Sequence, residues 1–465
     1  MHTEHNAAAD FDADRVAALS KPGPRYTSYP TVPAWSEDIG APQWAEHLRH
    51  TAVGASSEPP LSLYVHLPFC QERCHYCGCN VVITARREKA DRYIDYLARE
   101  MDIVCASLSR GRRVDQLHLG GGTPTFLDEV QLRRLWSEIA SRFDIDPEGE
   151  LALEVDPRVT SEAQLDLLAE LGFNRVSFGV QTLDPAIQAA IGRVQSLEQT
   201  AKLWNHARGL GFRGMNVDLI YGLPWQTVAT MRSSVQGVLQ LAPERVALFG
   251  YAHVPWLHPH QNKLDANALP DPRQRIELFG AGRTALIEAG YEPIGMDHFA
   301  LPDDELAVAL RERRLRRSFQ GYTTRAAGTT IAFGASAISD IDGGYAQNVK
   351  GIADYFRHLD RGALPIERGY FLDDDDRLRR DVITELMCNF TVDLEEVAKR
   401  HGIDDAEARF SAELQRLDEL QEGELVRRRG LFVSATPLGR LVIRNVAMVF
   451  DAHLAGGRGG FSQTV

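Results

Sequence analysis

Apolar runs and mixed helical stretches alternate along the first two thirds of the chain. Short runs rich in Leu, Val and Ile occupy 61–67 (LSLYVHL), 114–120 (VDQLHLG), 150–156 (ELALEVD), 175–180 (RVSFGV), 215–222 (MNVDLIYG) and 245–254 (RVALFGYAHV). Between them lie segments whose apolar residues recur every three or four positions, as in 131–140 (QLRRLWSEIA) and 162–171 (EAQLDLLAEL). The first period is that of a strand and the second that of a helix. Their alternation predicts βα units around a parallel sheet, and the six runs predict an incomplete (β/α)6 barrel. The strand count alone leaves an open doubly wound sheet as the alternative.

After about Gly369 the pattern changes. Residues 372–390 (LDDDDRLRRDVITELMCNF) read as a helix whose acidic first turn suits the helix dipole. Two further helical stretches follow, then a hairpin over 422–437 and a last helix over 438–454. The expected organisation is an N-terminal segment (1–55) covering the active site, a catalytic barrel (56–365), a mainly helical C-terminal domain (366–455) and a flexible tail (456–465). Helices with a hairpin also suit a winged-helix DNA binder. A net charge of −13 and the lack of a basic recognition helix favour a packing domain and argue against nucleic acid. The basic stretch 311–317 (RERRLRR) reads as a solvated helix face, though one that would suit a substrate with several carboxylates.

No run of eighteen uninterrupted apolar residues occurs, so no membrane helix is expected. The acidic N-terminus lacks the basic start and apolar run of a signal peptide. The expected location is cytoplasmic.

The chemistry is concentrated where strands end. In parallel barrels the loops at the C-terminal strand ends build the active site. Cys70 follows the first predicted strand, Gly120–Gly122 the second, Glu154 lies near the end of the third, and Gln181 follows the fourth. Asp218 lies in the fifth and Ala252 at the end of the sixth. Of six cysteines, four fall between 70 and 79, a clustering that in a cytosolic chain points to metal or redox chemistry. Cys70, Cys74 and Cys77 form C-x3-C-x2-C. Closely spaced thiolates favour iron–sulfur clusters, zinc or copper(I). A four-iron cluster usually takes four cysteines, so three leave one iron open to a small molecule. The amino and carboxylate groups of S-adenosylmethionine can chelate that iron.

Blander readings compete at each position. A structural zinc site could use Cys79 as fourth ligand, although C-x-C is tight for tetrahedral closure and no paired C-x2-C or H-x3-H follows. A thioredoxin-like Cys74–Cys77 pair leaves the other two cysteines unexplained. The three glycines could form only a tight turn, Glu154 and Asp218 only strand-end caps, and Tyr64 only a core residue. Within the barrel they become candidates to bind a nucleoside cofactor.

The segments YVHLPFCQERCHYCGCN (64–80) and LHLGGGTPTFL (117–127) resemble the radical S-adenosylmethionine proteins of the coproporphyrinogen group. Others narrow the resemblance to the oxygen-independent coproporphyrinogen III oxidases: GPRYTSYPT (23–31), LALEVDPR (151–158), NVDLIYGLP (216–224), GMDHFALPDDELAVA (295–309), FQGYTT (319–324) and RRDVITELMCNF (379–390). The resemblance runs from about Gly23 to about Leu454; residues 1–20 have no counterpart. It implies a [4Fe-4S] cluster on Cys70, Cys74 and Cys77, with Cys79 in the pattern but not a ligand. It also implies two molecules of S-adenosylmethionine. The first would be contacted at Tyr64, Gly121, Glu154 and Ile338, and the second at Gly122, Thr123, Gln181, Arg193, Asp218 and Ala252. The implied reaction is oxidative decarboxylation of two propionates of coproporphyrinogen III to vinyl groups. An electron donor such as a flavodoxin or ferredoxin system and a monomeric state are expected. A haem-binding or haem-delivery relative without decarboxylase activity is the alternative, although such relatives generally lack the GPRYTSYPT stretch and the extension ending at Cys79.

Overall fold

The computed structural model describes residues 11–108, 111–326, 328–454 and 461–465. Six strands follow the predicted runs: β1 (Leu61–Leu67), β2 (Arg113–Gly121), β3 (Asp144–Val155), β4 (Arg175–Gln181), β5 (Asn216–Tyr221) and β6 (Arg245–Gly250). They pair in parallel and in sequence order. Thr329–Phe333 adds another parallel strand beside β1. Antiparallel strands extend both edges, making a sheet of twelve.

Period-two alternation explains what each face carries. Leu61, Leu63, Val65 and Leu67 of β1 are buried in one large core with Leu117 and Leu119 of β2, Leu151, Leu153 and Val155 of β3, Val176, Phe178 and Val180 of β4, and Val217 and Leu219 of β5. Each such side chain contributes on the order of 1.5–3 kcal/mol. The residues between them take the other face: Tyr64, His66, His118, Glu154, Ser177, Asn216 and Asp218. The register sets Tyr64 beside His118, Glu154 beside Ser177, and Asp218 beside Gly179 and Ala247. The apolar face is covered by the connecting helices, among them α1 (Glu88–Ser107), α2 (Glu129–Ala140), α3 (Glu162–Glu170) and α4 (Leu197–Gly209). Asp128 with Gln131 and Ser161 with Gln164 form capping boxes that fix where α2 and α3 begin.

Ile366–Phe371 still pairs within the large sheet, so the chain leaves the sheet at Leu372 rather than at 366. The predicted C-terminal helix appears as α5 (Asp374–Asn389), stopped by Phe390 in a left-handed conformation. The hairpin is Val426–Arg429 with Phe432–Ala435. The single last helix predicted over 438–454 is instead broken into Pro437–Leu441, Ile443–Ala447 and a 3-10 turn at Met448–Phe450. Val442 leaves the helical conformation there, and the next turn carries Arg444 inward to donate to the Pro24 and Gln463 carbonyls. This region has its own core, built around Val382, Leu386, Phe410, Leu417 and Phe450 and joined by Tyr26 and Tyr29.

Two further expectations change. The basic stretch 311–317 is not one solvated helix. The helix ends at Arg311, Leu315 is buried, and Arg316–Ser318 pairs with Gly321–Thr323. The expected flexible tail falls partly on 456–460, outside the described residues, while 461–465 pack back: Pro22 bridges Gln463, and Thr464 and Val465 are buried. Among the described residues no helix is long and apolar enough to cross a membrane.

Candidate active site

The loop after β1 carries Cys70, Cys74 and Cys77, and no cysteine is in a disulfide. A short parallel pair, Phe69–Cys70 with Val82–Ile83, closes its base. The Thr123 hydroxyl lies 3.4 Å from Cys70 Sγ. Arg193 and Arg158 donate to Cys74 Sγ at 3.7 and 3.6 Å. The Cys79 N–H donates to Cys77 Sγ at 3.4 Å. Hydrogen bonding from Cys79, ahead of the opposing effect of burial, holds the Cys77 thiol below its ordinary value. Burial pushes Cys70 up to about 11. Among the described residues no three His, Cys, Asp or Glu side chains group closely enough for one metal ion. In an iron–sulfur cluster each thiolate has its own iron, so three thiols on one loop, backed by two guanidiniums, fit such an anionic group.

The glycines after β2 are required sterically. A Cβ on Gly121, whose φ is +109°, would stand 2.5 Å from the His66 ring, and one on Gly122 would stand 2.7 Å from the Phe69 carbonyl oxygen. The Gly122 and Thr123 N–H groups donate to Leu67 and Phe69 carbonyls at 2.9 Å, which ties this loop to the cysteine loop. The Gly121 N–H donates to Glu154 Oε2 at 3.4 Å.

Glu154 also meets His118 Nε2 at 3.3 Å. Burial works to raise its carboxyl, but the His118 bond and charge with the Gly121 N–H leave it below the ordinary value. Asp218 accepts from Asn216 Nδ2 at 2.7 Å and Ser177 Oγ at 3.1 Å. Burial and then the Glu154 charge push it up to about 6. Tyr64 Oη lies 3.1 Å from His66 Nδ1, and its ring stacks on His118. Gln181 takes a positive φ of 70° beside an irregularity in the β4–β5 register.

Arg193 is nearly fully buried, bonds Asp156 Oδ2 at 2.9 Å and the Gly179 carbonyl at 2.6 Å, and has no partner for its Nε. The Ala252 carbonyl accepts from Gln261 Nε2, which also donates to Tyr76 of the cysteine loop. Ile338 opens a strand two places from β1 and packs against the cluster of Trp35, Tyr345 and Leu372. The fold thus gathers Cys70 with Thr123, Cys74 with Arg193, and Glu154 with Gly121 and Tyr64, while Ile338 packs against that separate cluster. The preceding reading passed over Asp156, Arg158, His118 and His66. It also passed over Asp297, which bonds His298 Nδ1 at 2.7 Å and pairs with Arg25. Alternation along YVHL, LHLG and LALEVDPR is the signal that would have found the first four, since it sets His66, His118, Asp156 and Arg158 opposite the buried leucines and valines.

The fold and the thiol loop define a radical S-adenosylmethionine protein. The Radical SAM superfamily model matches residues 64–236, and the HemN C-terminal domain model matches 372–442. The chain is 43% identical over 446 residues to the oxygen-independent coproporphyrinogen III oxidase of Pseudomonas aeruginosa, covering 96% of each. It is 42% identical over 445 residues to that of Escherichia coli, again covering 96% of each. The solved structure of the Escherichia coli coproporphyrinogen III oxidase HemN, described as a radical SAM enzyme, superposes with a TM-score of 0.88 at 41% identity, covering 92% of this chain and 98% of that one. The chain belongs to the oxygen-independent coproporphyrinogen III oxidase family.

Proposed function

We propose that this chain converts two propionate side chains of coproporphyrinogen III to vinyl groups without oxygen, giving protoporphyrinogen IX. The observation that carries the reading is the C-x3-C-x2-C loop at the end of β1 with Arg158 and Arg193 turned onto Cys74. Cys70, Cys74 and Cys77 would hold a [4Fe-4S] cluster, which would supply the electron for reductive cleavage of S-adenosylmethionine and so the hydrogen-abstracting chemistry that each propionate needs.

The protein's part is positioning and charge. Arg158 and Arg193, which pair with Asp156 and in the case of Arg158 also approach Glu72, donate to Cys74 Sγ and so offset the thiolate charge. Glu154, kept ionised by His118, accepts from an ammonium or ribose hydroxyl of a nucleoside that reaches the Gly121 N–H. Asp218 offers a second acceptor deeper in the barrel. Two molecules of S-adenosylmethionine fit this division. Tyr64, Gly121, Glu154 and Ile338 would serve the cluster-bound one, and Gly122, Thr123, Gln181, Arg193, Asp218 and Ala252 its neighbour. Residues 11–55 would cover the site and exclude water, residues 1–10 of that segment lying outside the described ones. The enzyme works as a cytoplasmic monomer fed by an external one-electron donor.

The test is anaerobic reconstitution followed by incubation with coproporphyrinogen III, S-adenosylmethionine and a chemical reductant. Equal formation of 5′-deoxyadenosine and loss of carbon dioxide, with protoporphyrinogen IX as product, is expected. Tight haem binding with unchanged coproporphyrinogen would overturn the reading.

A further inference from the structure

The turn that follows β6 carries two of the most exposed large apolar side chains among the described residues, Trp256 and Leu257, at 74% and 68% exposure. It is a built turn. The Leu257 and His258 N–H groups both donate to the Val254 carbonyl at 2.9 Å, and Gln261 accepts from the Val254 N–H at 2.7 Å. Behind the tip, His260 Nε2 bonds the Cys77 carbonyl at 2.7 Å. The tip is therefore one hydrogen bond from a cysteine of the thiol loop.

The charge around it is opposite to that of the whole chain. His260 presents Nδ1 to the Arg73 guanidinium at 3.3 Å, and the same guanidinium donates to the Val81 carbonyl at 3.0 Å. Lys350 is anchored nearby, where its carbonyl accepts from Asn80 Nδ2 at 3.0 Å. Burial first, then His260 and the charges of Arg73 and Lys350, press His258 toward its neutral form. The acid on this loop, Glu72, lies 4.0 Å from Arg158. In a chain of net charge −13 this is a local cationic rim around an apolar tip.

We propose that the Trp256–Leu257 tip, with Arg73 and Lys350, is the docking point for a small acidic one-electron carrier protein that reduces the cluster. The proposal rests on the cluster reading above. The carrier gives up one electron and the cluster gains one; no bond or proton moves. A compact apolar centre with a charged rim suits a transient electron-transfer encounter, which buries under about 1,200 Å². Opposite charge speeds its formation and weakens as salt rises.

The test uses the reconstituted holoenzyme without substrate, with purified flavodoxin as probe and a ferredoxin as second arm. Wild-type binding should weaken as ionic strength is raised. Trp256→Ala and Lys350→Glu should each weaken binding at least tenfold and slow cluster reduction by the carrier, read by electron paramagnetic resonance, in step. Iron content, thermal stability and dithionite-driven turnover should stay at wild-type values. Unchanged affinity in both variants, or no salt-sensitive binding of either carrier to the wild type, overturns the proposal. So does a raised KM for the porphyrinogen under dithionite, which assigns the tip to substrate or to the chain's own N-terminal residues. If the carrier binds as expected but no decarboxylation occurs, the docking point stands and the proposed function fails.

Discussion

Asp156 and Glu100 are both buried carboxylates of the barrel, yet their surroundings have opposite designs. Asp156, just after β3, takes two guanidiniums: Arg158 at 2.7 Å and Arg193 at 2.9 Å. Burial opposes its ionisation, but the Arg193 charge and Arg158 bonds outweigh this and hold it below the usual carboxylate range. Glu100, on α1, receives only neutral donors: Tyr355 at 2.5 Å, Asn348 at 2.6 Å and the Gly334 N–H at 2.8 Å. Burial dominates there and pushes it up to about 7. The first group keeps guanidinium donors on Cys74 Sγ and an unpartnered Arg193 Nε, while the second has its carboxylate oxygens occupied. Spare donors mark the group that awaits a ligand; saturation marks the one that only holds loops together. Glu100 holds the Gly334 turn, and Tyr93 ties the next residue to the end of β1 through Ala335 and the His66 carbonyl.

Removing the anion that the first group faces gives the largest effect. Cys70→Ala, Cys74→Ala and Cys77→Ala should each abolish bound iron, brown colour and turnover together, read by iron analysis and visible absorbance. Asp218→Ala tests whether the ligand-facing chemistry extends deeper into the barrel. Turnover should fall on the order of 10²-fold while the cluster absorbance stays intact; a bleached protein would mean Asp218 supports the cluster loop instead.

Asp156→Ala leaves two buried guanidiniums without their carboxylate and should destabilise the cluster-free protein by about 3–5 kcal/mol in a denaturant titration. Glu100 gives the smallest and most pH-dependent effect. Its folded-state pKa lies above the unfolded one, so the folded chain binds the extra proton between the ordinary value of 4.5 and about 7. Stability from this group is therefore present below the ordinary value and lost as pH rises through about 7, by at most about 3 kcal/mol. Glu100→Gln should flatten that part of the melting temperature against pH. An unchanged slope would break the contrast between the two carboxylates.

The order of the strands, the polar face inside the barrel and the thiol loop were legible along the chain because each is a local regularity. Alternation by two decides which face Tyr64, His118, Glu154 and Asp218 share, and the interval from Cys70 to Cys77 places three thiols on one loop. The acidic first turn of α5 was equally visible. Other features were not. Arg193 reaches Asp156 across 37 positions of sequence, and only the β3–β4 pairing brings them together. The break at Val442 has no proline or glycine to announce it. It goes with Arg444 bonding the carbonyls of residues 420 positions away and of the C-terminal residues.

By itself the sequence determined the type of each element and which chemistry each strand end could offer, since backbone period, capping and thiol spacing act between near neighbours. Only the tertiary structure decided which charges are shared and which are left over, which arginines back the thiols, and which turn carries an uncovered tryptophan. Those outcomes depend on burial and on distances between segments far apart in the chain, and neither is set until the strands have paired.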